Sequence, residues 1–395
     1  MNEVVIVSAV RTPFGKFGGI LKDFSTVDLG SMVVKEVIKR ASVSPEAVEE
    51  VYMGANMPCS NRSIARQITL KAGLPDYVNS ATMDRACCSS SVAIATAYRA
   101  IKAGEVEIAI GGGTENLSQV PYFLDDLRWG KRIGEVVLKD IVVVTCPYTG
   151  VPRAVQAGKE AVEHGLTRED QDRWALRSQK LYGQALAAQK FNDEIMPVEI
   201  PSKKGAPVMM SQDEGARPDT TLEALAGLST VYGSPTVTAG NAPGLNTGAS
   251  ALLLMSRQKA DELGISPLAT IIAHAQGSGH PQRIASIPAY TAQKALKKAG
   301  MNIGQMDLVE INEAFAAMPL VSTKILGKND PAKIEKIRDK TNVNGGAIAI
   351  GHPTGASAGR LLMTLIYELR RRGGKYGLMA ICGGIGEGES FIVKI

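Results

Sequence analysis

One order of secondary-structure signals occurs twice in this chain. Near the start stand a β-branched run from Val4 to Val7, a helical stretch over 26–40, and the segment Val51-Tyr52-Met53-Gly54. A small-residue helix over 89–103 follows, then a strand over 107–111 ending in Gly111-Gly112-Gly113. Near the end the series returns as strand 269–274, helix 288–299, the segment Leu308-Val309-Glu310-Ile311-Asn312, helix 356–372 and strand 377–381 ending in Cys382-Gly383-Gly384. The offset stays near ~270 residues, and an internal duplication is the economical explanation. In the first helix Leu29, Val33 and Val37 share one face at helical spacing. Pro288 opens a later helix and Gly300 closes it, the expected Pro-first, Gly-last asymmetry. Alternating strands and helices imply α/β layering with mostly parallel pairing. Two such halves packed together place ligand sites between them, at strand C-terminal ends and helix N-termini.

Between the halves, over 118–245, the repeat is lost. One long helix is predicted from Arg168 to Lys190, with Thr167 and Asp170 spaced as a capping box. The run Ser202–Pro218 is polar and Pro-bearing. This stretch reads as an inserted subdomain that lies over a site and holds a ligand. The expected organisation is a first half over 1–117, completed by about 246–265, an insertion over 118–245, and a second half over 266–395.

Composition removes the competing classes. With 45% hydrophobic and 21% charged residues over 395, the chain is too apolar for disorder. No apolar run reaches the ~18 residues of a membrane helix, so no membrane association is expected. A net charge of +5 without a basic–aromatic stripe gives no reason to expect nucleic acid. Arg370-Arg371-Arg372 with Lys375 reads as favourable charge at a helix C-terminus. The five cysteines, Cys59, Cys87, Cys88, Cys146 and Cys382, are odd in number and lack CxxC or zinc-finger spacing. Catalytic thiols in a reducing compartment are expected, and no metal. The N-terminus has an acid where a signal peptide needs a base, which points to the cytoplasm.

The chemistry-bearing residues cluster in four places. Asp84-Arg85-Ala86-Cys87-Cys88-Ser89-Ser90-Ser91 leads into a helix, whose dipole favours a thiolate, with Arg85 as a possible aid. The plainer reading is a buried inert thiol, and position alone does not separate Cys87 from Cys88. His352, one of four histidines, follows Gly351 and precedes Pro353 in a Gly-rich loop entering a helix. A neutral imidazole there deprotonates a thiol or donates to an oxyanion, or else caps a turn. Cys382-Gly383-Gly384 follows a buried strand, its glycines exposing N–H groups to an anion. As a dinucleotide fingerprint it fails, because no helix with an acidic partner follows, and Gly111-Gly112-Gly113 fails likewise. Asn312, in Asn312-Glu313-Ala314-Phe315, pins a water, donates to an oxyanion or caps a helix; Phe315 reads as core.

Taken in order, these motifs resemble those of the thiolases, the acetyl-CoA acetyltransferase and 3-ketoacyl-CoA thiolase family. The resemblance runs nearly end to end. It rests on Arg11-Thr12-Pro13-Phe14-Gly15, the Cys87 segment, Gly240-Asn241-Ala242, Asn312-Glu313-Ala314-Phe315, Gly351-His352-Pro353 and Cys382-Gly383-Gly384. It implies two βαβαβαββ halves in five layers with a coenzyme A-binding loop domain, assembled as a homodimer or homotetramer. By position, Cys87 resembles the acyl-accepting nucleophile, His352 its base and Cys382 the thiol that moves the α-proton. Asn312 resembles the holder of a water that forms one oxyanion hole with His352; the N–H groups of Cys87 and Gly384 form the other. Arg217, Ala242, Pro243 and Phe315 fall where the family meets coenzyme A.

The implied activity is reversible Claisen condensation and thiolysis through a cysteine acyl-enzyme, with two acetyl-CoA giving acetoacetyl-CoA and CoA, in fatty acid metabolism. CoA thioesters would be substrates, with no tightly bound cofactor. The alternatives are a 3-ketoacyl-CoA thiolase of broader chain length and a non-catalytic acyl-CoA-binding protein. A decarboxylating ketoacyl synthase wants a second His where Asn312 stands. The chain departs from the pattern at Ser90, where a Gly is usual, and at Pro243, where the family has a pantetheine-contacting Ser. It departs also at Val151-Pro152-Arg153-Ala154 to Gly158, in place of the His-Met-Gly and Thr-Ala-Glu signature. Substrate choice and CoA pose are where these changes act.

Overall fold

The computed structural model describes residues 2–57, 61–125, 127–142, 145–202 and 205–395; Cys59 lies outside them. Nine strands carry the architecture: β1 (Val4–Arg11), β2 (Glu50–Gly54), β3 (Asn79–Met83), β4 (Ile108–Asn116), β5 (Asn246–Ser256), β6 (Ala269–Ser278), β7 (Leu308–Ile311), β8 (Tyr376–Cys382) and β9 (Glu387–Lys394). They lie side by side in the order β7-β8-β9-β6-β1-β5-β4-β2-β3, and a two-residue strand, Gly15–Lys16, adds to β5. The duplication is visible in this order. Outward from the central β1–β6 pair, β5, β4 and β2 on one side answer β9, β8 and β7 on the other. Pairing repeats as well. β2 runs parallel to β4 and β7 parallel to β8, while β5 and β9 are antiparallel to their neighbours. β3 pairs in parallel with β2. At the corresponding place in the second half, among the described residues, only the bridge Val309–Thr341 forms.

Side-chain alternation along the strands builds the layers. On β1, Val4 and Ile6 face inward onto the helices Ser89–Ala103 and Ser357–Arg372, while Val5 and Val7 face outward onto Thr26–Ala41. In the second half Met379 and Ile381 face the same two central helices, and Leu378 and Ala380 face the outer helix Ile287–Ala299. The stack is therefore helix, sheet, helix pair, sheet, helix: five layers. Leu361, Leu362, Leu365, Ile366 and Leu369 are fully buried in the middle layer. Each such side chain contributes roughly 1.5–3 kcal/mol.

Capping follows the sequence. Ser25–Asp28 and Thr167–Asp170 form reciprocal boxes, and Gly300 adopts the left-handed conformation that ends its helix. The long inserted helix ends at Ala187. Strand β4 departs from expectation, since it runs through Gly111-Gly112-Gly113 to Asn116 instead of ending there. The glycines allow close approach: a Cβ on Gly113 would stand 1.9 Å from the Gly355 carbonyl oxygen, and one on Gly111 2.6 Å from the Ile94 Cα. They draw the two central helices onto the strand.

Arg370, Arg371 and Arg372 do close a helix, but charge partners hold two of them. Arg371 and Arg372 pair with Glu368, and Arg371 also with Asp193. Arg11 is buried and bonds Glu194 at 2.8 Å and Asp213 at 2.6 Å. It thereby ties two points of the inserted stretch to the end of β1. Leaving that guanidinium unpaired would cost several kcal/mol (roughly 3–5 by analogy with other buried pairs).

Candidate active site

The N-termini of the two central helices meet at the C-terminal ends of β3, β7 and β8, and the reactive side chains converge there. After β3 the chain makes a tight turn in which Ala86 takes a left-handed conformation, φ 48°. Strain of this kind in a non-glycine residue concentrates at functional turns. The Ser89 hydroxyl closes the turn, accepting from the Arg85 N–H at 2.9 Å and donating to the Ala86 carbonyl at 2.6 Å. Cys87 projects from this turn, one residue before the helix cap at Cys88. Cys88 is fully buried in the core between the layers. The structure thus separates the two sulfurs that position alone left equivalent.

His352 reaches Cys87 from the opposite half. Its Nε2 lies 3.2 Å from the Cys87 Sγ. Its Nδ1 lies 2.6 Å from the Ser357 Oγ, and Ser357 donates its single hydrogen to the Pro353 carbonyl at 2.9 Å. Ser357 therefore accepts from Nδ1–H, which leaves the Nε2 lone pair facing the thiol. The His352 N–H donates to the Asn246 Oδ1 at 2.8 Å. The following loop is held by Glu115, which accepts from the Thr354 hydroxyl, the Gly355 N–H, and the N–H groups of Asn56 and Met57.

Asn312 directly follows β7, is fully buried and caps no helix among the described residues. Its Nδ2 is 3.4 Å from the His352 Nε2, and its Oδ1 has no hydrogen-bond partner among the described residues. Cys382 ends β8, and the turn after it packs on the Cys87 turn: a Cβ on Gly383 would stand 2.8 Å from the Cys88 Sγ and 3.0 Å from the Arg85 carbonyl oxygen. Gly384 (φ +53°), Ile385 and Gly386 are all left-handed, so this hairpin depends on its glycines.

The electrostatics correct one sequence expectation. Burial pushes the Cys87 thiol well above its ordinary value, outweighing any help from the helix end, and the nearby Cys382 adds to the rise. Arg85 does not activate it, being engaged with Glu389 at 2.6 Å and Glu387 at 3.3 Å. The cation that opposes the rise is Arg153. Burial also pushes Cys382 up to about 12, and it depresses His352 to about 3, with the Arg360 charge second. At neutral pH the resting pair is a neutral thiol facing a neutral imidazole.

The remaining predicted residues fall at the rim. Ala242 and Pro243 are half-buried and precede Leu245, which bridges to His352. Asn241 holds that loop through Asp172 and through the Ala316 N–H, which brings it beside the half-buried Phe315. Phe315 packs at the edge of the apolar cluster around Cys382, so it is both core and rim. Arg217 is exposed on the inserted stretch, its N–H bonded to Gln179. Sequence reasoning did not single out Ser357, Asn246, Glu115 or Arg153 as parts of the site. Only the five-residue step from His352 to Ser357 at a helix start carried a signal.

A cysteine facing a histidine at two helix N-termini, with a second thiol and a buried amide beside them, equips an enzyme to carry an acyl group on sulfur. Comparison with known proteins agrees. The model of the thiolase N-terminal domain matches residues 4–258 and that of the C-terminal domain residues 265–395. The chain is 42% identical over 402 residues to an acetyl-CoA acetyltransferase of Syntrophomonas wolfei subsp. wolfei, covering 100% of this chain and 99% of the relative. It is 40% identical over 400 residues to the mitochondrial 3-ketoacyl-CoA thiolase of Homo sapiens, covering 100% and 98%. The structure of the human mitochondrial 3-ketoacyl-CoA thiolase in complex with CoA matches with a TM-score of 0.93 and 39% identity, covering 100% and 98%. The Bacillus anthracis acetyl-CoA acetyltransferase matches with a TM-score of 0.94 and 38% identity, covering 100% and 99%. The chain belongs to the thiolase family.

Proposed function

We propose that this thiolase interconverts two acetyl-CoA with acetoacetyl-CoA and CoA through an acyl-enzyme on Cys87. The observation that carries this reading is the 3.2 Å approach of the His352 Nε2 to the Cys87 Sγ, with Ser357 fixing the tautomer. As Cys87 attacks the thioester carbon, its proton passes to Nε2, so the thiolate forms only when it is used. The tetrahedral oxyanion meets the N–H groups of Cys87 and Gly384, donors worth roughly 3–4 kcal/mol each. In the second half-reaction Cys382 removes a proton from the methyl carbon of a second acetyl-CoA. The enolate oxygen is held by His352 and by a water that Asn312 fixes through its otherwise unpaired Oδ1. The carbanion attacks the Cys87 thioester and releases the sulfur. The CoA thiolate leaving the first half-reaction takes the Cys382 proton, so Cys382, whose burial holds its thiol at about 12, enters the second as a strongly basic thiolate while Nε2 still carries the proton of Cys87.

The stretch 118–245 serves as the loop domain for coenzyme A, with Arg217 meeting a phosphate and Ala242, Pro243 and Phe315 lining the pantetheine path. Halves over 1–117, completed by about 246–265, and over 266–395 frame it. The CoA thioester is substrate, with no tightly held cofactor. Among the described residues no group of three His, Cys, Asp or Glu side chains is placed to hold a metal. Homo-oligomer formation has a surface to use: Tyr122, Trp129, Ile133, Val137 and Leu138 are exposed on one arm of the insertion. No helix among the described residues is long and apolar enough to cross a membrane. The free thiols Cys87, Cys88, Cys146 and Cys382 suit a reducing cytoplasm.

The test uses mass spectrometry and coupled rates. Cys87→Ser is expected to abolish acyl transfer to the protein. Cys382→Ser is expected to retain acylation and lose condensation. Acylation persisting in the first variant, or equal loss of both steps in the second, overturns the assignment.

A further inference from the structure

Arg153 brings a positive charge to the reactive sulfurs, yet the chemistry above makes no use of it. It is half-buried, and a Cβ on Gly384 would come 3.0 Å from one of its terminal nitrogens. Its guanidinium therefore lies against the proposed oxyanion donor. Burial raises both the Cys87 and the Cys382 thiols, and in each case the Arg153 charge opposes the rise, which places it within electrostatic reach of both. Among the described residues no carboxylate lies within ion-pair distance of it. Its side-chain partner is the neutral Gln156 Oε1 at 3.1 Å, and Gln156 is itself held by the Thr149 hydroxyl.

The position is electrostatically unfavourable twice over. Removing a guanidinium partly from water is costly without an anion. Arg153 is also the first residue of the helix Arg153–Glu163, whose first turn holds no acid, so the helix dipole repels it. Arg11, Arg85 and Arg168, also buried or half-buried, pair with Glu194 and Asp213, with Glu389 and with Asp172, whereas the half-buried Arg66 and Arg177 bond backbone carbonyls instead. An anion arriving with the substrate would compensate Arg153. The phosphates of coenzyme A cannot be that anion, because the whole pantetheine arm separates them from the thioester. The anion must sit on the acyl group.

We propose that Arg153 is a specificity residue that reads a carboxylate at the far end of the acyl chain. The enzyme would then process ω-carboxyacyl-CoA and the matching 3-oxo-dicarboxylic mono-CoA thioesters, besides acetyl groups. This extends the thiolase reading and rests on it. In thiolysis the Cys87 thiolate attacks the 3-keto carbon and the C2–C3 bond breaks. Its electrons form the acetyl-CoA enolate, which takes a proton from Cys382. The ω-carboxyacyl group remains on Cys87, with its carboxylate on the Arg153 fork, until the thiolate of free CoA displaces it. Guanidinium is suited to this role because its planar donors bind a carboxylate bidentately.

The test compares CoA-dependent thiolysis of 3-oxohexanedioyl-CoA and 3-oxohexanoyl-CoA, which have equal chain length and differ in the end charge, with acetoacetyl-CoA alongside. The full chain is expected to favour the diacid thioester by at least about tenfold in kcat/KM. Arg153→Met should reduce that ratio roughly 10- to 100-fold, and Arg153→Lys should keep part of it. A wild-type ratio of one or less overturns the proposal, whether or not the variants fold. So does an Arg153→Met enzyme, folded by circular dichroism, that loses both substrates in equal proportion, which would make Arg153 an aid to thiolate formation. Absence of thiolysis on all three substrates by the wild-type chain would instead sink the thiolase reading itself.

Discussion

Ser357 touches neither sulfur, yet the tautomer of the base depends on it. Replacing it with Ala removes the acceptor 2.6 Å from the His352 Nδ1 in a site where water does not readily substitute. Two losses follow. The neutral imidazole no longer has a reason to keep its hydrogen on Nδ1, and the other tautomer presents N–H to Cys87 in place of a lone pair. The imidazolium that forms as Cys87 gives up its proton also loses a charge-assisted bond, about twice as strong as a neutral one worth ~1 kcal/mol. That difference of ~1–2 kcal/mol is roughly 5- to 30-fold, and the tautomer shift brings the expected loss in acylation rate to about 10- to 100-fold. The assay is single-turnover acylation of Cys87 by acetyl-CoA, followed by mass spectrometry across pH, with a thermal melt to monitor the lost bond to Pro353. KM should change little, because Ser357 does not meet substrate, and Ser357→Thr should recover part of the rate. An acylation rate within about twofold of wild type, or an effect confined to KM, would refute the tautomer argument.

Two further outcomes concern stability. His352 is held at about 3 by burial, against 6.5 when unfolded, so between these values the unfolded chain takes a proton that the folded one refuses. Its contribution is complete above pH 6.5 and declines as the pH falls towards 3. Urea midpoints at pH 7 and pH 5 should converge in His352→Gln relative to wild type; an identical decline in both would refute the linkage. Gly113→Ala would set a Cβ 1.9 Å from the Gly355 carbonyl oxygen, three residues from the base. It should cost about 3 kcal/mol of stability and most of the activity, read by thermal melting and thiolysis; a melting temperature close to wild type would show that the central helices are not held as described.

Much of this protein was legible from order and spacing. The repeat of signals predicted two matching halves, and the paired strand order shows them. The motifs around Cys87, Asn312, His352 and Cys382 named the side chains that converge. Identity motifs can be read because each junction carries residues with few other uses: a thiol before a helix, a lone histidine between Gly351 and Pro353, glycines after a strand. The Gly111-Gly112-Gly113 run misled, since Gly111 answers the approach of Ile94 in its own half and Gly113 that of Gly355 in the other, which no local pattern announces.

By itself, the sequence determined the elements, their caps and the list of reactive groups, because propensity, periodicity and capping act over a few residues. Tertiary packing alone decided which groups act together. It buried Cys88 and presented Cys87, paired Arg85 with Glu389, and set Arg153 beside the sulfurs in its place. It also chose the protonation states: burial keeps both thiols and the imidazole neutral at rest, against the thiolate that a helix end alone suggested. Desolvation and long-range pairing depend on residues hundreds of positions apart, so only the folded chain could fix them.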